Sequence, residues 1–525
     1  MVAPAFAPPA AAPTATPTAV SGRTYVEGIL GRATNASPLV ARVPADRILV
    51  SLVFRGLVRP GPGDSLVPDL AERWAVDPSG TVWTFHLGGD ARWQDGTPVT
   101  AGDVVFTIAA LSDPDYGGQG AGSWGEVRAV AVDPRTVRLE SVIPLGGFLH
   151  VATQPIAPAH LLGNVPPGEL AEHSFGRHPV GSGPFALETL DSRGAVLVAD
   201  PGPGVPSPYL AGLEIRFFDD AVELAAAWRA GDLDAVSGLA PADMAELASG
   251  GSGALVRYPG STLLAVVPNI RPTAPALRDP AVRLALLEAI DRDTIVAETL
   301  ADLAVRADSP IPPTSWAFDP AVSTVFPFDP SAAVAELESA GWTRGDGGWT
   351  PKGAKEPLLL EILGPRDDTS PAAYDVAEAV ADAWRSIGLR VTHATPEPSV
   401  LADRMRAGDF DVAVIGISIG LDPDLYPLLA STQTTGSRTN VLGLQDAALD
   451  ALLAAARAPG TEEARKAAYS ALQVALAAKT YLLPLAFRDE VALVSDRLSG
   501  YAVRPVGDPG GRFWDVLTWR LADGR

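Results

Sequence analysis

The 525-residue chain has no cysteine, and its lysines number four, at positions 352, 355, 466 and 479. Without cysteine there are no disulfides, no thiolate-held metal and no lipid-modified cysteine anchor on this chain, although an oxidising compartment is compatible with the absence. None of the four lysines falls in a G-K-[ST] phosphate loop. Basic residues are outnumbered, 40 Lys and Arg against 62 Asp and Glu, for a formal net charge of -22 at pH 7. A phosphate backbone is repelled by that field, so nucleic acid is not an expected partner. Nor does any apolar run approach the ~20 residues that span a bilayer.

Proline, alanine and threonine dominate the first residues, "MVAPAFAPPAAAPTATPTAV", and residues 1–23 read as a disordered, semi-extended tether. This stretch has neither a basic region nor a continuous apolar core, so it is not expected to be a complete signal peptide. With 51 glycines and 49 prolines, the rest is expected to build many short elements joined by turns. Residues 46–178 read as strand-rich. Two segments farther on repeat each other: "RAGDLDAV" from Arg229 and "RAGDFDVAV" from Arg406. Each closes a predicted helix, places Gly231 or Gly408 where a left-handed cap needs no Cβ, and leads into an apolar strand. Upstream strands, Leu213–Phe218 and Leu358–Leu363, complete two β-α-β regions and hence two similar α/β lobes.

Three helices follow from capping and periodicity. Asp279 caps the first, with Pro280 at its first position and Val282, Leu286, Ala289 and Ile290 along one stripe. The second carries Val376, Val380, Trp384 and Ile387. Thr461 opens the third, with Glu462 and Glu463 in its first turn and Tyr469, Leu472 and Leu476 facing inward. In "ARWQDGTPVTAGDVVFTI" (residues 91–108), Asp95-Gly96 is read as a tight reversal, Trp93 as packed beneath it, and Thr100 with Asp103 as a capping box.

The sharpest enzymatic motif is Gly416-Ile417-Ser418-Ile419-Gly420, which matches the G-x-S-x-G nucleophile elbow and keeps a serine hydrolase using Ser418 as an alternative. The elbow's base would be a later histidine, but the last of the six is His393. Pro423 also interrupts the helix that should follow. No spacing of histidines and carboxylates makes a metal site, and no cofactor is expected.

Taken together, several segments resemble the family 5 extracytoplasmic solute-binding proteins, the peptide/nickel/oligosaccharide group serving ABC importers. They are residues 54–108 from "FRGLVRPG" to "DVVFTI", "HPVGSGPFAL", "AAWRAGDLDAV", "RDPAVRLALLEAIDRDTIV", "SPIPPTSWAFDP", "ESAGW", "GDFDVAVIGISIGLDPD" and "YLLPLAFRDEVALVSDRLSGY". The resemblance implies an α/β, two-lobed periplasmic-binding-protein fold with an interlobe ligand cleft. Lobe I would comprise 24–267 and 485–525, with the strand-rich subdomain at about 46–178, and lobe II 268–484. The crossings between lobes would lie near 268–275 and 483–488. It further implies a monomeric, non-enzymatic receptor outside the cytoplasm, in the periplasm or at the cell surface, that delivers a peptide-like, oligosaccharide or other small organic solute to membrane permease subunits. A sensory or interaction protein that kept the fold without transport is the other alternative.

Peptide-binding members hold the ligand's ammonium with an Asp three positions before the acid of the "DPD"-like segment. Here that segment is Asp422-Pro423-Asp424, the anchor position is Ile419, and the family's Trp after the strand glycine is Ile417. The expected ligand-facing residues are Asn35, Ser37, Asn269, Trp316, Arg366, Ile417, Ser418, Ile419 and Asp422. Among these, Asp422 is a substitute anchor and Arg366 a partner for a ligand carboxylate.

Overall fold

A computed structural model describes residues 22–522 apart from 64, 114–115, 117–123, 125–126, 252 and 435–438. The expected tether thus lies outside the described residues except at 22 and 23. Among the described residues no helix is long and apolar enough to cross a membrane.

The two "RAGD" regions fold as their sequences imply. Asp220 caps the helix Ala221–Arg229 by accepting from the Val222 and Glu223 N–H groups, and Gly231 ends it at φ +77°. The helix Pro398–Ala407 ends on Gly408 at φ +74°. Both glycines occupy the left-handed region that a Cβ disfavours. The strands that follow are Ala235–Ser237, buried throughout, and Val412–Ser418, buried from Val412 to Val414, and each joins the same eleven-stranded sheet. In the first region Gly212–Phe218 and Ala235–Ser237 lie parallel on either side of Thr24–Leu30. In the second, Leu359–Leu363 runs parallel to both Val412–Ser418 and Arg390–Ala394.

Two long antiparallel strands, Ala254–Pro268 and Leu483–Val494, join these halves. Residues 254–258 pair with 490–494, residues 262–266 pair with 483–488, and the register shifts between Tyr258 and Thr262. Packing changes at the same place: Val256 and Tyr258 belong to the apolar core of the first half, and Leu263, Ala265 and Val267 to that of the second. The chain therefore passes between the halves at residues 259–261 and near 489, within continuous strands. The family resemblance implies crossings near 268–275 and 483–488; the packing change lies beside the second, near 489, and on the first strand at the bulge, 259–261, which leaves no compositional mark inside an apolar strand. Gly260 makes the bulge possible, since a Cβ there would overlap the Arg488 carbonyl oxygen. A third segment closes it: Val506 N–H donates to the Pro259 carbonyl (2.9 Å) and Ser261 N–H to that of Val506 (3.2 Å).

The strand-rich region forms a four-stranded antiparallel sheet in the order Ala71–Val76, Val82–Leu87, Thr136–Ser141, Val127–Asp133. Its Phe85, Trp93 and Leu139 pack in one continuous core with Tyr25 and Ile29 of the first half. In the 91–108 stretch, Gly96 turns at φ +88° and Trp93 is buried beneath the turn. The Thr100 N–H donates to Asp103 Oδ2 (2.7 Å) at the start of the helix Ala101–Ser112. Gln94 has a role that its sequence context did not suggest. Its side chain accepts from Gly181 N–H (2.7 Å) and donates to the Phe185 carbonyl (3.0 Å), joining this turn to the "GSGPF" segment.

All three helices form as expected. Asp279 accepts from Ala281 N–H at the start of Pro280–Glu288. Val376, Val380 and Trp384 are fully buried in Pro371–Ser386. Thr461 accepts from Ala464 N–H to open Glu462–Lys479.

A fully buried ion pair lies in the first half. Arg512 forms an ion pair with Glu27, whose other bonds come from Tyr25 Oη (2.7 Å) and Ser237 Oγ (2.6 Å). Both charged side chains are almost wholly enclosed. An enclosed carboxylate is tolerable only while its partners remain. Arg512→Met is expected to lower the unfolding free energy by about 3–5 kcal/mol by stranding Glu27, read as a drop in the urea midpoint. A change below 1 kcal/mol would show the pair to be dispensable.

Candidate functional site

Between the halves lies an open cavity of about 1230 Å3, larger than the ~300–1,000 Å3 typical of a site for a drug-sized molecule. Lobe II contributes Ile417 to Asp422, Asp424, Leu428 and Arg457 to its wall. The opposite wall comes from Phe54, Arg55, Asp69, Trp124 and Phe148, and from the C-terminal segment between Arg504 and Leu517. The Val412–Ser418 strand supplies the lobe II edge: it ends at the cavity, and Gly420 at φ +81° turns the chain along the wall. The wall combines apolar and aromatic side chains with charged ones, several of them held in ion pairs.

Those pairs are specific. Arg465 Nη1 and Nη2 donate to Asp422 Oδ2 and Oδ1, both at 3.0 Å. The same guanidinium lies 4.4 Å from the ring centroid of Trp316, which meets Tyr469 edge to face. Arg457 pairs with Asp424 (3.1 Å) and lies 4.3 Å over the Tyr426 ring. On the opposite wall Arg55 pairs with Asp69 at 2.5 Å. Burial raises the carboxyl pKa values of Asp424 and Asp69, and the Arg partners only partly offset the rise. Burial also raises the Tyr469 hydroxyl well above its ordinary range, reinforced by the nearby Asp422 and Asp424 charges.

The loop Leu145–Phe148 of the strand-rich region reaches lobe II at this point. Gly146 N–H donates to the Arg457 carbonyl (2.9 Å). A Cβ on Gly147 would stand 2.5 Å from Asp422 Cγ, and one on Gly146 would stand 2.7 Å from Arg465 Nε. Two adjacent glycines thus let the backbone lie directly on the Asp422–Arg465 pair.

The structure brings together some of the residues anticipated from sequence and separates others. Ile417, Ser418, Ile419 and Asp422 line the cavity. Trp316 lines a small recess beside it with Ser261, Leu421 and Arg504. Asn35, Ser37, Asn269 and Arg366 stand outside both walls, and each is engaged by the protein. Asn35 donates to the Ala171 carbonyl (3.2 Å) and accepts from Ser37 N–H (2.9 Å), while Ser37 Oγ faces Leu39 N–H (3.4 Å). Asn269 Nδ2 donates to the carbonyls of Gly408 (3.0 Å) and Phe410 (2.9 Å), holding the second "RAGD" turn. Arg366 pairs with Asp368 and Glu397 on the surface.

Ser418 does not form a nucleophile elbow. An elbow needs a strand that turns at once into a helix, whereas Ser418 is still paired with Thr262 and the next helical turn is Tyr426–Leu429. Sequence reasoning missed Arg465, Arg457, the Gly146-Gly147 pair and the 504–517 wall. The doubled glycines in "PLGGFL" and "GDPGGRF" were the available signal, since adjacent glycines mark close backbone approach.

Comparison with known proteins gives this arrangement its context. Residues 65–439 match the family described as bacterial extracellular solute-binding proteins, family 5 Middle. The chain is 25% identical over 511 residues to the oligopeptide-binding protein AppA of Bacillus subtilis, covering 95% of this chain and 92% of that one. The solved structure of AppA in complex with a nonapeptide superposes with a TM-score of 0.80 at 24% identity, over 96% of this chain and 99% of that one. NikZ from Campylobacter jejuni in complex with Ni(L-His) gives a TM-score of 0.79 at 25% identity, over 95% and 99%.

If the Gly147 contact holds the halves together, Gly147→Val separates them. Its φ of -89° is open to residues other than glycine, and the Asp422 carboxylate is what an added side chain meets first. Small-angle scattering is expected to show a larger radius of gyration with little change in melting temperature. An unchanged radius would mean that this contact does not govern closure.

Proposed function

Because the chain belongs to the bacterial extracellular solute-binding proteins of family 5, a family of binders and not of enzymes, we propose that it acts as the monomeric receptor of an ABC importer, capturing a peptide-like or other organic solute in the interlobe cavity. The observation that carries this reading is the cavity itself, with one wall on each half and strands that bend between them. AppA binds oligopeptides and NikZ was solved with Ni(L-His), so the shared fold accommodates chemically different cargo. A wall that combines apolar and aromatic side chains with charged ones suits a sizeable organic molecule, gripped by desolvation and oriented by polar groups.

A solute that touches both walls stabilises the closed form in proportion to its preference for it. Moving such an equilibrium from mostly open to mostly closed requires about 10⁴-fold preference, roughly 5.5 kcal/mol. Permease subunits in the membrane would then recognise the closed pair of lobes, a surface that exists only with cargo inside.

Purified protein is expected to release a small organic molecule on denaturation, identifiable by mass spectrometry. Added back at 100 times its Kd to the stripped, refolded chain, that molecule should stabilise the fold by about 2.7 kcal/mol. Chemical turnover of the molecule, or stabilisation that persists when the cavity is blocked by Ile417→Trp, would contradict the reading.

A further inference from the structure

The charges around the cavity differ from those of the molecule as a whole. Acidic residues exceed basic ones by 62 to 40 in the chain, whereas five arginines and five acidic residues line the cavity among the described residues. The acids are also committed. Asp422 is held by both Arg465 nitrogens, its side chain is 7% exposed, and the Gly147 backbone covers it. Asp424 is held by Arg457 and Asp69 by Arg55. Asp508 accepts from Gly511 N–H (3.1 Å) at a helical turn, and Glu72 is exposed at the rim.

Among the described residues, a solute bearing a free ammonium therefore meets no enclosed carboxylate that lacks a partner. To recruit Asp422 it would have to displace Arg465, leaving a guanidinium stacked on Trp316 without its anion. To enter unpaired, it would give up its hydration in an apolar space.

Resting on the reading of this cavity as the solute site, we propose that the receptor selects solutes whose amino end is blocked or absent, and that Arg465 sets this selectivity by occupying Asp422. Specificity of this kind comes from excluding the competitor as much as from attracting the ligand. An N-acylated peptide or a similarly neutral-ended organic molecule keeps its apolar contacts and leaves the Asp422–Arg465 pair intact.

The test uses the full chain, stripped of solute by unfolding and refolding, and a tetrapeptide pool supplied in equal amounts as free amines and as isotope-labelled N-acetyl forms. Retained species are weighed by mass spectrometry. The wild type is expected to enrich the acetylated forms at least tenfold. Arg465→Gln should abolish or reverse the enrichment by releasing Asp422, and Arg465→Lys should preserve much of it, with circular dichroism confirming that both variants fold. Equal or preferential retention of free amines by the wild type overturns the proposal and leaves the cavity's assignment as the solute site untouched. Enrichment unaltered in Arg465→Gln overturns the role of Arg465. Retention of neither form removes the peptide-like reading of the solute, and this proposal with it.

Discussion

Two antiparallel strands, Ala254–Pro268 and Leu483–Val494, belong to both halves of the molecule at once, and the cavity exists because of where they change partners. On one side of the bulge their apolar residues pack against the Thr24–Leu30 half, and on the other against Val412–Ser418. These two continuous strands carry the chain between the halves at residues 259–261 and near 489. The Arg504–Gly511 segment is tied to the bulge through Val506, which brings one cavity wall under the same constraint. Closure and the shape of the site are thus governed by a few backbone bonds.

The scaffold was legible in sequence wherever a local rule has one structural solution. Asp before Pro at 279–280, Thr461 followed by two glutamates, and the glycine after each "RA" all specify caps by short-range sterics and hydrogen bonding, and each is found where expected. Periodicity revealed the buried faces of the helices carrying Trp384 and Tyr469. The second crossing lies beside the expected 483–488, whereas on the first strand the packing change falls at a bulge without distinctive composition, ahead of the expected segment at 268–275. That segment is instead fixed to lobe II through Asn269.

The site was legible on one side only. Ile417, Ser418, Ile419 and Asp422 are contiguous at a strand end, where an open α/β sheet presents ligands. What Asp422 does could not be read, because Arg465 lies 43 residues away and Gly147 comes from the opposite half. A side chain's availability depends on its neighbours in space, and those neighbours are set by tertiary packing. The same reason explains Asn35, Ser37, Asn269 and Arg366. Each is a plausible polar contact by type and position, yet each is absorbed by a local backbone or ion-pair partner. Gln94 shows the converse, a residue placed in a simple turn that also locks two distant family segments together.

Capture of a solute between two walls makes a claim about both at once, and hydrogen exchange tests it most directly. With the co-purified solute restored to stripped protein, amide exchange is predicted to slow together in 417–424 of lobe II and in 504–517 of the opposite wall, with the bulge at 259–261 changing alongside. Protection confined to one wall, or located away from the cavity, would contradict the account.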